Sequence, residues 1–62
     1  MEFAVEDRIV VNDPANIFYD GKIAVVDRVI DDYAAVGGQV VYKVRVDNVE
    51  FMLREEKMKA AA

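Results

Sequence analysis

The side chains of this sequence exclude most catalytic chemistry. The chain has 62 residues, with no histidine and no cysteine, so it lacks the groups of catalytic triads, thiol catalysis and imidazole or thiolate zinc sites. Adjacent carboxylates at Asp31 and Asp32 are of the type that acts in glycoside hydrolysis or binds hard cations. No third ligand stands at useful spacing, and glycines follow, which favours a solvated loop. We predict no catalytic residue, no metal site and no cofactor.

The paired glycines Gly37-Gly38 do not form a phosphate-binding motif. No Lys-Ser or Lys-Thr follows them, and no helix is predicted to begin there. A chain this short also has little room for a pocket that excludes water. We therefore predict that the protein is not an enzyme.

Charge is distributed unevenly along the chain. Residues 1–36 hold eight acids and three bases, whereas residues 37–62 hold four acids and five bases, within a net charge of −4. An acidic chain is repelled by phosphate backbones. The second half nevertheless contains a basic strip, which defines an alternative hypothesis of nucleic-acid binding: Lys43, Arg45, Arg54, Lys57 and Lys59.

Three large apolar residues, Ile17, Phe18 and Tyr19, occur in what the flanking Pro14 and Asp20-Gly21 predict to be a loop. In one interpretation Phe18 plugs the end of a small barrel and Tyr19 covers it. In the other, the aromatic side chains form an exposed ledge, joined by Tyr33, on which a protein partner docks. Both interpretations hold together if Phe18 points inward and Tyr19 outward.

Acidic residues surround this loop in the sequence and favour a partner with a basic surface: Asp13, Asp20, Asp31 and Asp32. The predicted partner-binding residues are Ile17, Phe18, Tyr19, Asp20, Asp31, Asp32 and Tyr33. A second candidate contact is Met52, although a lone exposed methionine is common at protein surfaces.

The elements that hold these loops are predicted to be strands. Residues 40–54 alternate in polarity around Asp47-Asn48, which suits a two-residue primed turn and sets the register of a hairpin. In that register the inward face carries three pairs: Val46–Val49, Val44–Phe51 and Tyr42–Leu53. The outward face carries three other pairs: Arg45 opposite Glu50, Lys43 beside Met52, and Val41 opposite Arg54.

Two further strands precede the hairpin. Residues 7–11 predict a strand with Ile9 and Val11 inward, and residues 22–30 predict a long strand. The long strand has apolar residues three apart, at Ile23, Val26 and Val29, which indicates a bulge or bend. Residues 53–62 favour a helical turn with a Glu55–Lys59 pair and with Met58 folded back onto the core. We expect one domain over residues 1–62, with a lead-in at 1–6 and a frayed tail at 60–62.

The segment Gly21-Lys22-Ile23-Ala24-Val25-Val26-Asp27 resembles the Gly-x-Val-x-x-Val core of KOW-type SH3-like barrels. A wider set of segments resembles the small SH3-like barrels of the photosystem I subunit PsaE type: residues 7–11, Phe18-Tyr19, residues 21–29, residues 42–46 and residues 53–58. The resemblance implies an all-β, small, partly open SH3-like barrel. It would have four to five antiparallel strands and a short C-terminal helical turn. It also implies a protein that binds another macromolecule, since PsaE-type proteins dock onto a larger complex.

These observations favour a non-enzymatic protein-binding module: an adaptor, accessory subunit or inhibitor. One alternative is a KOW-like barrel that binds nucleic acid through the basic strip. Another is a homo-oligomeric structural subunit of a viral or multi-protein assembly, and the oligomeric state is left open. No stretch approaches the ~18 apolar residues of a membrane span, so no membrane partner is expected. The lack of cysteine fits a reducing compartment, and we expect a cytoplasmic protein.

Overall fold

The computed structural model describes residues 3–31 and 40–61. Five antiparallel strands form one sheet: β1 (Arg8–Val11), β2 (Ile23–Ile30), β3 (Val41–Val46), β4 (Val49–Arg54) and β5 (Met58–Ala60). A 3-10 turn, Glu55–Lys57, joins β4 to β5. The strand order is β4-β3-β2-β1-β5, so the sheet is not closed into a barrel and its edges are β4 and β5. The predicted all-β fold with four to five antiparallel strands and a short C-terminal helical turn is confirmed.

The hairpin of β3 and β4 has the register predicted from its alternating residues. All six predicted pairs form, from Val46 with Val49 at the turn to Val41 with Arg54 at the open end. Asp47 has a φ of 54°, the positive value that primed turns require at their first central residue. One side chain differs from prediction, because Val49 is 46% exposed and is not part of the buried face.

A bulge in β2 determines which of its residues face the core. The register between β2 and β3 shifts between Val26 and Arg28, which leaves Asp27 as the extra residue. Ala24 and Val26 are buried before the bulge, and Val29 packs on the core after it. An extra residue reverses the alternation of faces, so even-numbered positions face inward before the bulge and an odd-numbered one after it. The predicted bulge is confirmed, but Ile23 is 49% exposed and lies on the other face.

The C-terminal segment forms a strand after the 3-10 turn, whereas residues 53–62 were expected to favour a helical turn. The 3-10 turn ends at Lys57, and β5 then pairs with β1 through Met58 opposite Val11. Met58 is 6% exposed, which confirms that it folds back onto the core. Lys59 lies in β5 and not in a helix, so the two residues do not have the helical spacing on which the predicted Glu55–Lys59 pair was based. Ala60 also belongs to β5.

The core lies against the inner face of the sheet. Its buried residues are Ile9, Val11, Ala24, Val26, Tyr42, Val44, Val46, Leu53 and Met58. Tyr42 is fully buried, and its hydroxyl donates a 2.8 Å hydrogen bond to Glu55 Oε1. Phe3 packs edge-on against the Tyr42 ring, with centroids 5.7 Å apart. The predicted lead-in therefore anchors the core through Phe3. Within residues 3–31 and 40–61, no helix is long and apolar enough to cross a membrane.

Candidate functional site

The loop between β1 and β2, residues 12–22, is held in shape by its own backbone. At its base, Val11 donates an amide hydrogen bond to the Lys22 carbonyl (2.9 Å), and Gly21 donates one to the Val11 carbonyl (2.8 Å). Within the loop, the Asn16 carbonyl accepts the amides of Tyr19 (3.2 Å) and Asp20 (2.9 Å). Gly21 has a φ of 83°, an angle that glycine adopts without steric penalty. The loop therefore presents its central residues in a defined position.

Two carboxylates of this loop stabilise its conformation. Asp20 Oδ1 accepts the Asp13 amide at 2.9 Å, which links the two sides of the loop. Asp13 Oδ1 accepts the Ala15 amide at 3.3 Å, in the local pattern typical of aspartate in turns. The same oxygen lies 3.8 Å from Lys57 Nζ. The sequence predicted these aspartates as a charged surround for a partner, whereas the structure also gives them an intramolecular role.

The two aromatic residues of the loop occupy different environments. Tyr19 is half-buried and stacks on Phe51 of β4, with ring centroids 4.7 Å apart and 24° between the planes. Phe18 is 74% exposed and Ile17 is 79% exposed. Phe18 therefore does not plug the core, and the ring of Tyr19 packs on the sheet. Tyr19 lies at the base of the loop, where its carbonyl accepts the Lys22 amide at 3.0 Å, and this position brings its ring to the sheet.

We call Ile17 and Phe18 the apolar tip. They are the most exposed large hydrophobic residues of the described chain. Asp20 is exposed in the same loop, and Asp31 is exposed directly after β2. The other predicted members of the site, Asp32 and Tyr33, lie outside the described residues, as does Gly37-Gly38. Within residues 3–31 and 40–61, no group of three or more acidic, histidine or cysteine side chains is placed to hold a metal ion.

The residues of the predicted basic strip lie close to carboxylates. Four of the five form ion pairs: Lys43–Glu50 (3.8 Å), Arg45–Asp27 (3.4 Å), Arg54–Glu56 (3.9 Å) and Lys57–Asp13 (3.8 Å). The fifth residue, Lys59, lies on β5 at the opposite edge of the sheet from β4. The strip is therefore divided among β3, β4, the 3-10 turn and β5, and its charges are largely compensated locally.

One of these ion pairs differs from the predicted pairing. Arg45 stands opposite Glu50 in the hairpin register, but its Nε lies 3.4 Å from Asp27 of β2. Glu50 is paired diagonally with Lys43. Asp27 is the extra residue of the β2 bulge, so its position next to Arg45 depends on the tertiary pairing of β2 with β3.

The free edge of the sheet carries a second exposed apolar residue. Met52 of β4 is 58% exposed and lies on the outward face, as the hairpin register predicted. Its neighbours along that face of β4 are Glu50 and Arg54, both exposed. This edge is separate in sequence from the β1–β2 loop.

Comparisons with known proteins found no relative. The sequence matches no protein-family model, and neither the curated proteins nor the solved structures include a match. The resemblance to SH3-like barrels therefore stays a prediction.

Proposed function

We propose that this chain is a non-enzymatic protein-binding module that docks on a larger protein through the apolar tip. The observation that carries the proposal is the exposure of Ile17 (79%) and Phe18 (74%) on a loop whose backbone is held by internal hydrogen bonds. Exposed apolar residues grouped in this way mark interaction sites on protein surfaces. Such a module acts as an adaptor, accessory subunit or inhibitor, depending on its partner.

The preformed loop lowers the conformational-entropy cost of binding through a small contact. A flexible loop loses conformational freedom on binding, whereas a preformed loop avoids most of that cost. The hydrogen bonds at Val11, Asn16 and Asp20 form this loop without a partner. Full burial of a side chain such as Ile17 or Phe18 contributes about 1.5–3 kcal/mol. Two such side chains together contribute at most about 3–6 kcal/mol to binding.

The charge around the tip indicates the chemistry of the partner. Asp20 and Asp31 are exposed, and the whole chain has a net charge of −4. Complementary charge accelerates association and discriminates against wrong partners. The partner we propose has an apolar pocket for Ile17 and Phe18 with a basic rim. Asp32 and Tyr33 remain candidate members of the same contact.

The strand order and the bulged β2 support the proposed likeness to small SH3-like barrels. A shared fold does not by itself assign a function, so the argument for docking depends on the exposed side chains. A cytoplasmic location belongs to the same proposal, because a chain without cysteine suits a reducing compartment.

Nucleic-acid binding is the weaker candidate. Proteins that bind phosphate backbones use cations that are available to neutralise phosphates. Here four of the five predicted basic residues are already within 4 Å of a carboxylate, and the exposed loop is apolar and acidic. We expect no measurable binding of a generic oligonucleotide even at low salt. Binding that weakens steeply with added salt would favour this alternative.

The proposal is tested by removing the apolar tip without disturbing the fold. Immobilised wild-type chain and the double variant Ile17→Ala/Phe18→Ala are compared for proteins captured from host lysate. The dissociation constant of the purified partner is then measured for each. The matched control is Ile23→Ala, which removes an apolar side chain that is 49% exposed on β2.

We expect the double variant to bind about 100-fold more weakly, because each lost anchor contributes at least a factor of about ten. The control and the wild type should bind equally, and all three chains should melt at nearly the same temperature. A double variant with wild-type affinity for the captured partner refutes docking through the apolar tip.

A further inference from the structure

The outer edge of β4 offers unpaired backbone groups. β4 is the last strand of the sheet and pairs only with β3 among the described residues. In a hairpin with a two-residue turn, the pair next to the turn is hydrogen-bonded and the pairs then alternate. The residues that bond to β3 are therefore Val49, Phe51 and Leu53. The residues that direct their amides and carbonyls away from the sheet are Glu50, Met52 and Arg54.

No other described segment satisfies these outward groups. Within residues 3–31 and 40–61, the backbone hydrogen bonds of the loops and turns do not involve β4. An exposed strand edge of this kind is a template for pairing with another strand. β5, at the other edge of the sheet, has only three residues and offers a shorter template.

The side chains along this edge have a self-complementary order. Glu50, Met52 and Arg54 occupy alternate positions and share the outward face of β4. Met52 is 58% exposed, and the side chains of Glu50 and Arg54 are 45% and 65% exposed. The acid and the base therefore stand at equal distances from the central methionine. When such a strand is placed antiparallel to its own copy, each acid faces a base.

We propose that β4 pairs antiparallel with β4 of a second copy of this chain, about a two-fold axis at Met52. Glu50 then stands opposite Arg54 of the second copy, and Met52 stands opposite its equivalent. The residues with outward backbone groups face each other, so each of the three pairs forms two hydrogen bonds, about six in total. The interface is isologous, as most homodimer interfaces are, and it joins two sheets into one.

Electrostatics select this register over its neighbours. An axis at Glu50 would place two glutamates opposite each other, and an axis at Arg54 would place two arginines opposite each other. Like charges directly opposite are destabilising in a sheet. An axis at Phe51 would place Glu50 against Met52, without a charge partner. Only the axis at Met52 gives two opposite-charge pairs and pairs all three residues that have outward backbone groups.

The ion pairs within one chain are compatible with this pairing. Glu50 lies 3.8 Å from Lys43, and Arg54 lies 3.9 Å from Glu56. Across the interface the charges would alternate in sign from Lys43 through Glu50 of one copy to Arg54 and Glu56 of the other. The pairing uses neither residue of the apolar tip, so it is independent of the proposed docking function.

The pairing strand is short, so the dimer is expected to be weak. A contact of this size falls at the low end of specific interfaces. Sedimentation equilibrium of the wild-type chain from about 10 µM to 1 mM should show a reversible monomer–dimer equilibrium. An isotope-filtered NOE in a mixture of labelled and unlabelled chains reports the register. It should join the Hα protons of Phe51 of one copy and Leu53 of the other, since these residues face each other as a non-hydrogen-bonded pair.

Charge reversal provides the decisive test. Glu50→Arg places bases at both ends of the edge, and Arg54→Glu places acids at both ends. Each single variant should be monomeric, with dimerisation weakened at least 10-fold. An equimolar mixture of the two variants should form a heterodimer, and the double variant Glu50→Arg/Arg54→Glu should dimerise like the wild type. Lys59→Glu on β5 is the matched control for Arg54→Glu, because it makes the same change in net charge at the other edge.

Three results would overturn the proposal. One is a wild-type chain that stays monomeric at 1 mM, which leaves the edge to a strand of a different protein. Another is a dimer that both single variants preserve, which must use a different surface. The third is a mixture of the two single variants that remains monomeric, because complementary charges would then not drive the pairing.

Discussion

Truncation of Tyr19 to alanine is expected to destabilise the fold, whereas truncation of its neighbour Phe18 is not. The sequence left two arrangements open, with Phe18 as a plug covered by Tyr19 or with both rings on an exposed ledge. In the structure, Tyr19 stacks on Phe51 with centroids 4.7 Å apart, and Phe18 is 74% exposed. The two substitutions remove side chains of similar size one residue apart, so a difference between them reports packing.

The expected magnitudes follow from burial. Tyr19→Ala loses the half-buried body of the ring, worth about 1 kcal/mol, and a stacked aromatic pair worth about another 1 kcal/mol. The total of about 2 kcal/mol is large for a domain of this length, whose net stability is usually no more than about 3–5 kcal/mol. It corresponds to a fall in Tm of roughly 10 °C. Phe18→Ala loses only the small buried part of its ring, about 0.5 kcal/mol.

The measurement is urea unfolding followed by circular dichroism, with thermal unfolding as a second readout. Tyr19→Phe is the matched control, because it keeps the stacked ring and removes only the hydroxyl. It should stay within about 0.5 kcal/mol of the wild type. A double-mutant cycle with Tyr19→Ala and Phe51→Ala should give a coupling energy of about 0.5–1.5 kcal/mol.

Two outcomes would refute this account of the loop. If Phe18→Ala destabilises as much as Tyr19→Ala, the ring of Phe18 is buried in solution and the apolar tip does not exist. If the double-mutant cycle gives no coupling, Tyr19 does not pack on Phe51, and the β1–β2 loop is not anchored to β4.

Two other predictions concern groups far from the loop. Tyr42→Phe should lower the free energy of unfolding by about 1.5 kcal/mol, because it removes the 2.8 Å hydrogen bond that ties Glu55 and the 3-10 turn to the core; urea unfolding measures this, and an unchanged midpoint would contradict it. Glu6→Gly should raise stability by about 0.5 kcal/mol, since Glu6 has a φ of 77°, which costs a residue with a Cβ more than it costs glycine. A lower Tm for this variant would show that the side chain of Glu6 stabilises the turn by more than its backbone strain costs.

The register of the hairpin of β3 and β4 could be predicted completely from local pattern. Strict alternation and a two-residue turn allow only one register, because a shift of one residue would turn every buried side chain to the other face. The strands β1 and β2, the bulge and the burial of Met58 were also predictable. The strands and the bulge depend on the spacing of apolar residues along a single segment, whereas the burial of Met58 also depends on the pairing of β5 with β1.

The side chains that distinguish the candidate site could not be assigned in this way. Ile17, Phe18 and Tyr19 are consecutive apolar residues in a loop, and a loop has no periodicity that assigns a face to each side chain. Their orientation depends on the hydrogen bonds that close the loop and on the position of Phe51, which comes from a strand more than thirty residues later in the chain. The pairing of Arg45 with Asp27 likewise depends on contact between β2 and β3.

The free edge at β4 depends both on local sequence pattern and on long-range strand pairing. The sequence itself contains the order Glu50, Met52 and Arg54. Its alternating pattern also predicts the register that places these residues on the outward face. That β4 ends the sheet follows only from the strand order β4-β3-β2-β1-β5, which places β5 beside β1. Local pattern determines which side chains share a face, because backbone geometry alternates within one strand. Long-range strand pairing determines which faces and edges are left to solvent, because that choice depends on burying the core between segments distant in the chain.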